Sequence, residues 1–392
     1  MELQAIRQAA SQGTISLPPP RDSEILEDVP ILKLCLKVTR QLSDFRHAFA
    51  CTKQAETIGR LMLALEARHE VLEANTRLSL KDYFLSRIVP KPEIEEFVRM
   101  ENFSTACLDL AETLRIEPIS VRTVTSIANH FLQDNLAWRK SGEFPKDPSV
   151  EDVSTVIWDQ IPEQLEKWEE FARNQRDMDP LVHIILISLY YVAISPLNKY
   201  NEKIAQILMQ LLFLQPSVGV PFPCLQLGYA LKTNPHLGLE EKRYGWRTRR
   251  WTPYLTYALT TILKASVYSL EILQAIERLF DQTANYLKQL GMANHIAFLP
   301  VIFEYPACRT GELSSLTGVR RQVASHILND LVHAGVLERI EDGRDRIFFH
   351  LRLLELLENE THSFAPLPRE LVPFDLLYQK GNTGRNRKDE VL

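Results

Sequence analysis

Asp179–Leu214, DPLVHIILISLYYVAISPLNKYNEKIAQILMQLLFL, reads as a helix, a short polar loop and a second helix. Leu181 to Ile194 is apolar nearly all round, with Ile184, Ile185, Ile187, Leu189, Tyr190 and Val192, the pattern of a helix buried on every side. Ser195-Pro196 ends it, because proline pushes the preceding residue out of the α region and has no N–H to donate. After Asn201, the residues Ile204, Ile207, Leu208, Leu211 and Leu212 recur at three- and four-residue spacing, so a second helix starts there. A loop between two buried helices, faced by the backbone N–H groups of the second helix's start, is a natural place to bind phosphate.

The rest of the 392-residue chain has room for two or three domains. Helical periodicity recurs nearly everywhere, which predicts a mainly α protein. The net charge of −5 is not that of a chain coated in nucleic acid. No apolar stretch reaches membrane-spanning length, and MELQAIRQAASQG lacks the continuous apolar core of a secretory signal. Five cysteines (Cys35, Cys51, Cys107, Cys224, Cys308) lie far apart with no CxxC pair, which predicts a reducing cytoplasm and no structural zinc. Leu17-Pro18-Pro19-Pro20 is an extended polyproline-like run. Helical spacing follows over Ile25 to Phe45, Glu56 to Asn75, Leu80 to Ile88, Phe103 to Leu114 and Val121 to Gln133, with Ser120 as an N-cap.

SPLNKYNEKIAQ, Ser195 to Gln206, resembles the core motif of the Fic (Fido) family, HPFx[D/E]GNGRxxR, whose members transfer AMP or another phosphate-containing group onto hydroxyl side chains. Aligned on Pro196 and Asn201, Ser195 stands at the catalytic histidine, Leu197 at the phenylalanine and Lys199 at the Mg²⁺-ligating acid. Tyr200 and Glu202 stand at the two glycines, Lys203 and Gln206 at the two arginines. A serine hydroxyl without its own base cannot take a proton as histidine does. A lysine repels Mg²⁺, which takes oxygen ligands. Side-chain bulk and a negative charge replace glycine where the family's backbone approaches phosphate. The motif therefore predicts no catalytic residue, no metal and no required cofactor, and it leaves anion or residual nucleotide binding at Lys199 and Lys203 open.

Ala64 to Phe84 resembles the family's inhibitory helix, with Glu73 at the inhibitory glutamate, His69 at its Ser/Thr and Ala74 at its Gly/Asn. The resemblance pairs Glu73 with Gln206 in place of an arginine, without the charge-assisted bond. Ser141-Gly142-Glu143-Phe144-Pro145 resembles the entry to the flap that positions a target peptide, with Pro145 in the arginine's place and Lys146 to Val156 short of β-formers. Trp251-Thr252-Pro253-Tyr254 falls at another family position. Before it, Glu241 to Arg250 sets Lys242, Arg243, Arg247, Arg249 and Arg250 beside Trp246, which reads either as a phosphate-gripping stretch or as a solvated surface loop. The resemblance implies a helical Fic core over 96–290 behind an N-terminal helical region, 1–95.

The third part, 291–360, carries its own signal. Asn294 to Tyr305, Thr310 to Leu316 and Arg320 to Ala334 read as helices, with Thr317-Gly318-Val319 a tight turn. Leu337 to Ile340 and Arg346 to His350 read as the strands of a hairpin around Gly343. That order is a winged helix-turn-helix. Val323, Ile327, Leu328 and Leu331 are expected in its core. Arg320, Arg321, Gln322, Ser325 and His326 are expected outward, where arginine can bind guanine and glutamine adenine, with Arg344 at the wing tip. Between Phe298 and Leu351 acids slightly outnumber arginines, and winged helices also dock proteins. Residues 361–392 read as a polar tail. The reading is a catalytically inactive Fic-like protein that binds DNA as a transcriptional regulator, in the cytoplasm and by family analogy as a homodimer. A nucleotide-dependent transferase of altered chemistry and a protein-docking module are the alternatives.

Overall fold

The computed structural model describes residues 27–72, 78–89, 94–131, 135–141, 143, 156, 158–174, 178–233, 235–248, 250–342 and 345–367. These divide into two units. The first holds 27–50, 66–72 and the described residues of 98–270; the second holds 51–65, 78–89, 94–97 and the described residues from 271 onward. The chain is mainly helical, as its periodicity requires, and no helix among the described residues is long and apolar enough to cross a membrane.

The described elements begin with α1 (Val29–Cys51), which buries Ile31, Cys35, Val38, Leu42, Phe45 and Phe49 along one stripe. There follow α2 (Ala55–Val71), α3 (Leu80–Ser86), α4 (Glu95–Ile116), α5 (Val121–Asn129) and α6 (Ile161–Arg173). Ser79 and Asp82 form a reciprocal cap on α3: Asp82 N donates to Ser79 Oγ over 3.0 Å, and Ser79 N donates to Asp82 Oδ2 over 3.1 Å. Ser120 is the N-cap of α5.

In the first unit the quoted stretch forms α7 (Pro180–Ile194) and α8 (Asn201–Leu212), packed against each other. Asp179 caps α7 by accepting from Leu181 N at 2.9 Å, and Pro180 takes the first turn, where a missing N–H costs nothing. Every residue of α7 except Pro180 and Val192 is buried. One flank is covered by α6, whose Ile161, Leu165, Trp168 and Phe171 are buried at helical spacing, with Trp168 Nε1 donating to Ile187 O at 2.9 Å. Then come α9 (Leu227–Lys232), α10 (Pro235–Thr248) and α11 (Thr252–Gln289). The basic stretch at 241–250 is thus largely helix rather than loop, up to Thr248.

In the second unit, a 3₁₀ turn at Ala293–Phe298 leads into α12 (Leu299–Glu304), β1 (Ala307–Arg309), α13 (Thr310–Thr317), α14 (Arg321–His333), β2 (Glu338–Asp342), β3 (Asp345–Phe349) and α15 (Leu351–Glu358). The strands form one antiparallel sheet in the order β1-β3-β2, with Cys308 opposite Phe348 and Ile340 opposite Ile347. Gly318, at φ +71°, ends α13 in the left-handed conformation that glycine adopts without strain, which turns the chain sharply into α14. Helix, turn, helix and hairpin follow in the order the sequence suggests, preceded by a short strand it does not announce. In the same unit α3 meets this assembly: Leu80 N donates to Glu358 Oε1 at 2.5 Å, and Lys81 Nζ lies 5.1 Å from the Phe349 ring centre.

Candidate functional site

The loop between α7 and α8 is bracketed by two left-handed residues, Ser195 at φ +43° and Tyr200 at φ +63°. Tyr200 stands where glycine would be strain-free, and its ring meets Phe131 at 6.0 Å, with Arg99 5.8 Å and Lys199 5.0 Å from its centre. Packing of that ring offsets a backbone cost of about 1 kcal/mol. Ser195 is fully buried, and its hydroxyl donates to Val192 O at 2.5 Å. Asn201, also fully buried, closes the loop on itself: its Oδ1 accepts from Leu197 N at 3.0 Å and its Nδ2 donates to Leu197 O at 2.9 Å.

The outer side of the loop is tied down as well. Arg139 N donates to Pro196 O at 2.9 Å and Asn198 N to Ala137 O at 2.9 Å, making the bridge between Trp138 and Leu197. The Arg139 guanidinium, 6% exposed, donates to Ile194 O and Val156 O, each at 2.9 Å. Burial pulls its pKa down to about 10. Beside it a cleft of about 1110 Å³ runs past Trp138, Trp158 and Pro196 along α6, a feature with no motif to mark it.

The charged positions of the motif are engaged by the protein itself. Lys203 Nζ lies 2.9 Å from Glu70 Oε2 and also donates to Glu70 O, so this lysine is already paired. Glu202 pairs with Lys242 on α10, at 3.1 Å. Burial works most strongly against the Lys242 charge, but Glu202 together with Tyr254 and Tyr257 holds the pKa above the ordinary lysine value. Gln206 Oε1 is buried with no hydrogen-bond partner among the described residues. Lys199 has its ammonium over Tyr200.

Glu73, expected opposite Gln206, lies outside the described residues. The acids that reach the site are Glu66 and Glu70, one helical turn apart on α2 and both buried. Glu66 accepts from Gln210 Nε2 at 3.0 Å and from Gly228 N at 3.0 Å. A Cβ on Gly228 would lie 2.8 Å from Glu70 Oε1, so α9 needs glycine there to approach. Burial first, and the neighbouring Glu70 second, push the Glu66 carboxyl well above the usual carboxylate range. His69, between them, packs edge-on to Tyr229 and Tyr268 at 5.5 and 6.4 Å. The sequence shows the spacing of Glu66, Glu70 and Glu73 but not which of them faces α8. No group of three or more His, Cys, Asp or Glu side chains among the described residues is placed to hold a metal ion.

In the second unit, Arg320, Arg321, Gln322 and His326 are exposed and Ser325 is half-buried, all on the first turns of α14. Ala324, Ile327, Leu328 and Leu331 face inward, but Val323, expected with them, is 45% exposed. At helical spacing it shares a stripe with His326, three residues on, instead of with the core. Asn329 ties the helix to the hairpin by accepting from Arg339 Nη1 at 3.4 Å. Arg344, expected at the wing tip, lies outside the described residues.

Residues 279–353 match the family model of the protein adenylyltransferase SoFic-like, C-terminal domain. Among solved structures, a Fic family protein from Desulfovibrio desulfuricans superposes with a TM-score of 0.50 at 12% identity, covering 84% of this chain and 98% of that one. Fic-1 of C. elegans superposes with a TM-score of 0.47 at 18% identity, covering 62% of this chain and 73% of that one. The α7–loop–α8 unit with its surrounding helices thus stands in a mainly helical, Fic-like fold.

Proposed function

We propose that this is a Fic-fold protein without AMP-transfer chemistry that regulates transcription by binding double-stranded DNA through a winged helix at α13, α14 and the β2–β3 hairpin. The observation that carries the reading is the start of α14. Arg320, Arg321, Gln322 and His326 are exposed together, and Gly318 to Asn329 contains no acid. Arginine and glutamine suit guanine and adenine edges, and a helix N-terminus carries partial positive charge toward phosphate. Two copies on a two-fold site would be the ordinary arrangement for such a module.

The lack of transfer chemistry is supported by the loop. A proton acceptor, a metal ligand and phosphate contacts must coexist in an active site. Here Ser195 is bonded to its own helix, Lys199 stands at the metal acid's position, and Lys203 is held by Glu70. Ser195→His alone is therefore expected to transfer no AMP to any protein; radiolabelling by that single variant would overturn this part of the reading.

The test of the whole is capture of fragmented genomic DNA from the source organism at moderate salt, with Arg320→Ala/Arg321→Ala alongside. Enrichment of a few fragments, lost in the double variant, supports the regulator. Equal or absent enrichment favours a docking module, the second reading, for which the exposed Glu338 and Glu341 on the hairpin speak.

A further inference from the structure

Val323 is the one large apolar side chain on the outward stripe of α14, 45% exposed, while Ala324, Ile327, Leu328 and Leu331 are 6% exposed or less. A scattered exposed valine is ordinary. This one occupies the third residue of α14, directly after the exposed Arg320, Arg321 and Gln322 and one turn before the exposed His326. Those neighbours complement phosphate and polar base edges, and a valine can do neither.

One group on the major-groove edges of the base pairs does suit it. Thymine alone carries a C5-methyl there, and small apolar side chains recognise thymine through it. A helix seated in the major groove presents its N-terminal residues to the base edges. A β-branched side chain is held in one rotamer on a helix, so its two methyl groups are already fixed and lose little freedom on contact. Resting on the DNA-binding reading above, we propose that Val323 is a specificity determinant that reads the methyl group of a thymine in the major groove of the DNA site.

The experiment uses the full chain and the best fragment from the capture described above. Each thymine of that fragment is replaced in turn by deoxyuridine, which removes the methyl and keeps every hydrogen-bonding group. At one position the unmodified protein should lose about fourfold in affinity, one buried methyl's worth. Val323→Ser should bind the thymine fragment about fourfold more weakly and be indifferent to deoxyuridine at that position, and Val323→Thr, which keeps one methyl, should retain part of the sensitivity. Since the side chain is exposed, the serine variant should melt with the parent protein. The assignment is overturned if no deoxyuridine weakens binding, or if Val323→Ser stays as sensitive as the parent. If no fragment is bound at all, the DNA-binding reading falls and this assignment with it.

Discussion

Two helix starts in this molecule carry similar polar residues and treat them in opposite ways. At the entry to α8, Ser195, Asn201, Glu202 and Lys203 turn to Val192, Leu197, Lys242 and Glu70. At the entry to α14, Arg320, Arg321, Gln322 and His326 stand exposed. The N–H groups and partial positive charge of a helix start are available in both places. What differs is how far the side chains are exposed. At α8, Ser195 and Asn201 bond to backbone within or beside the loop while Glu202 and Lys203 pair with charged side chains of α10 and α2; at α14 the four side chains face solvent.

That contrast can be broken by mutation. Lys203→Ala leaves Glu70 buried beside Glu66 without its cation, and stability should fall by about 3 kcal/mol in a urea titration. A loss within error would mean that Lys203 is free to serve a ligand. Asn201→Ala strands the buried N–H and C=O of Leu197 and should cost about 2 kcal/mol by the same measurement.

A pH series sharpens the picture at Glu66. Its folded pKa is raised above the ordinary glutamate value of 4.5 by burial and by Glu70. The folded state therefore holds the proton more tightly than the unfolded chain. The resulting stability is complete below pH 4.5 and is lost as pH rises through the folded value. Glu66→Gln has no proton to lose, so its stability relative to the parent should rise as pH climbs above 4.5; parallel stability curves for the two proteins would refute this. The smallest effect belongs to the open side: Arg320→Ala/Arg321→Ala should change stability by less than about 0.5 kcal/mol, because both side chains are exposed.

The α7–loop–α8 unit, the Ser120 cap and the helix-turn-helix with its hairpin are legible in the sequence because each has a local cause, whether apolar periodicity, proline, a cap or glycine. β1 escapes because three residues carry no period. The basic stretch reads as loop because Gly245 interrupts it, yet a Cβ there would lie 2.6 Å from the Trp251 ring, so the glycine lets α10 pack closely. Glu66 and Glu70 are visible as a helical repeat, but their partners on α8 lie 144 and 133 residues away, beyond any local signal. Val323 reads as core in the sequence because an apolar residue beside two core positions looks like core until the helix's rotation is known, yet it is exposed.

The C-terminal end of α2 is closed by distant lysines rather than by a neighbouring glycine. Lys203 Nζ donates to Glu70 O and Lys232 Nζ to Leu72 O. Such a cap cannot form when the helix first winds. Two loops of more than a hundred residues must close before either ammonium arrives, so the last turn of α2 belongs among the late events of folding. The amides of residues 68–72 should accordingly gain protection from hydrogen exchange in step with α8 and α9, and their slow phase would time the assembly of the loop.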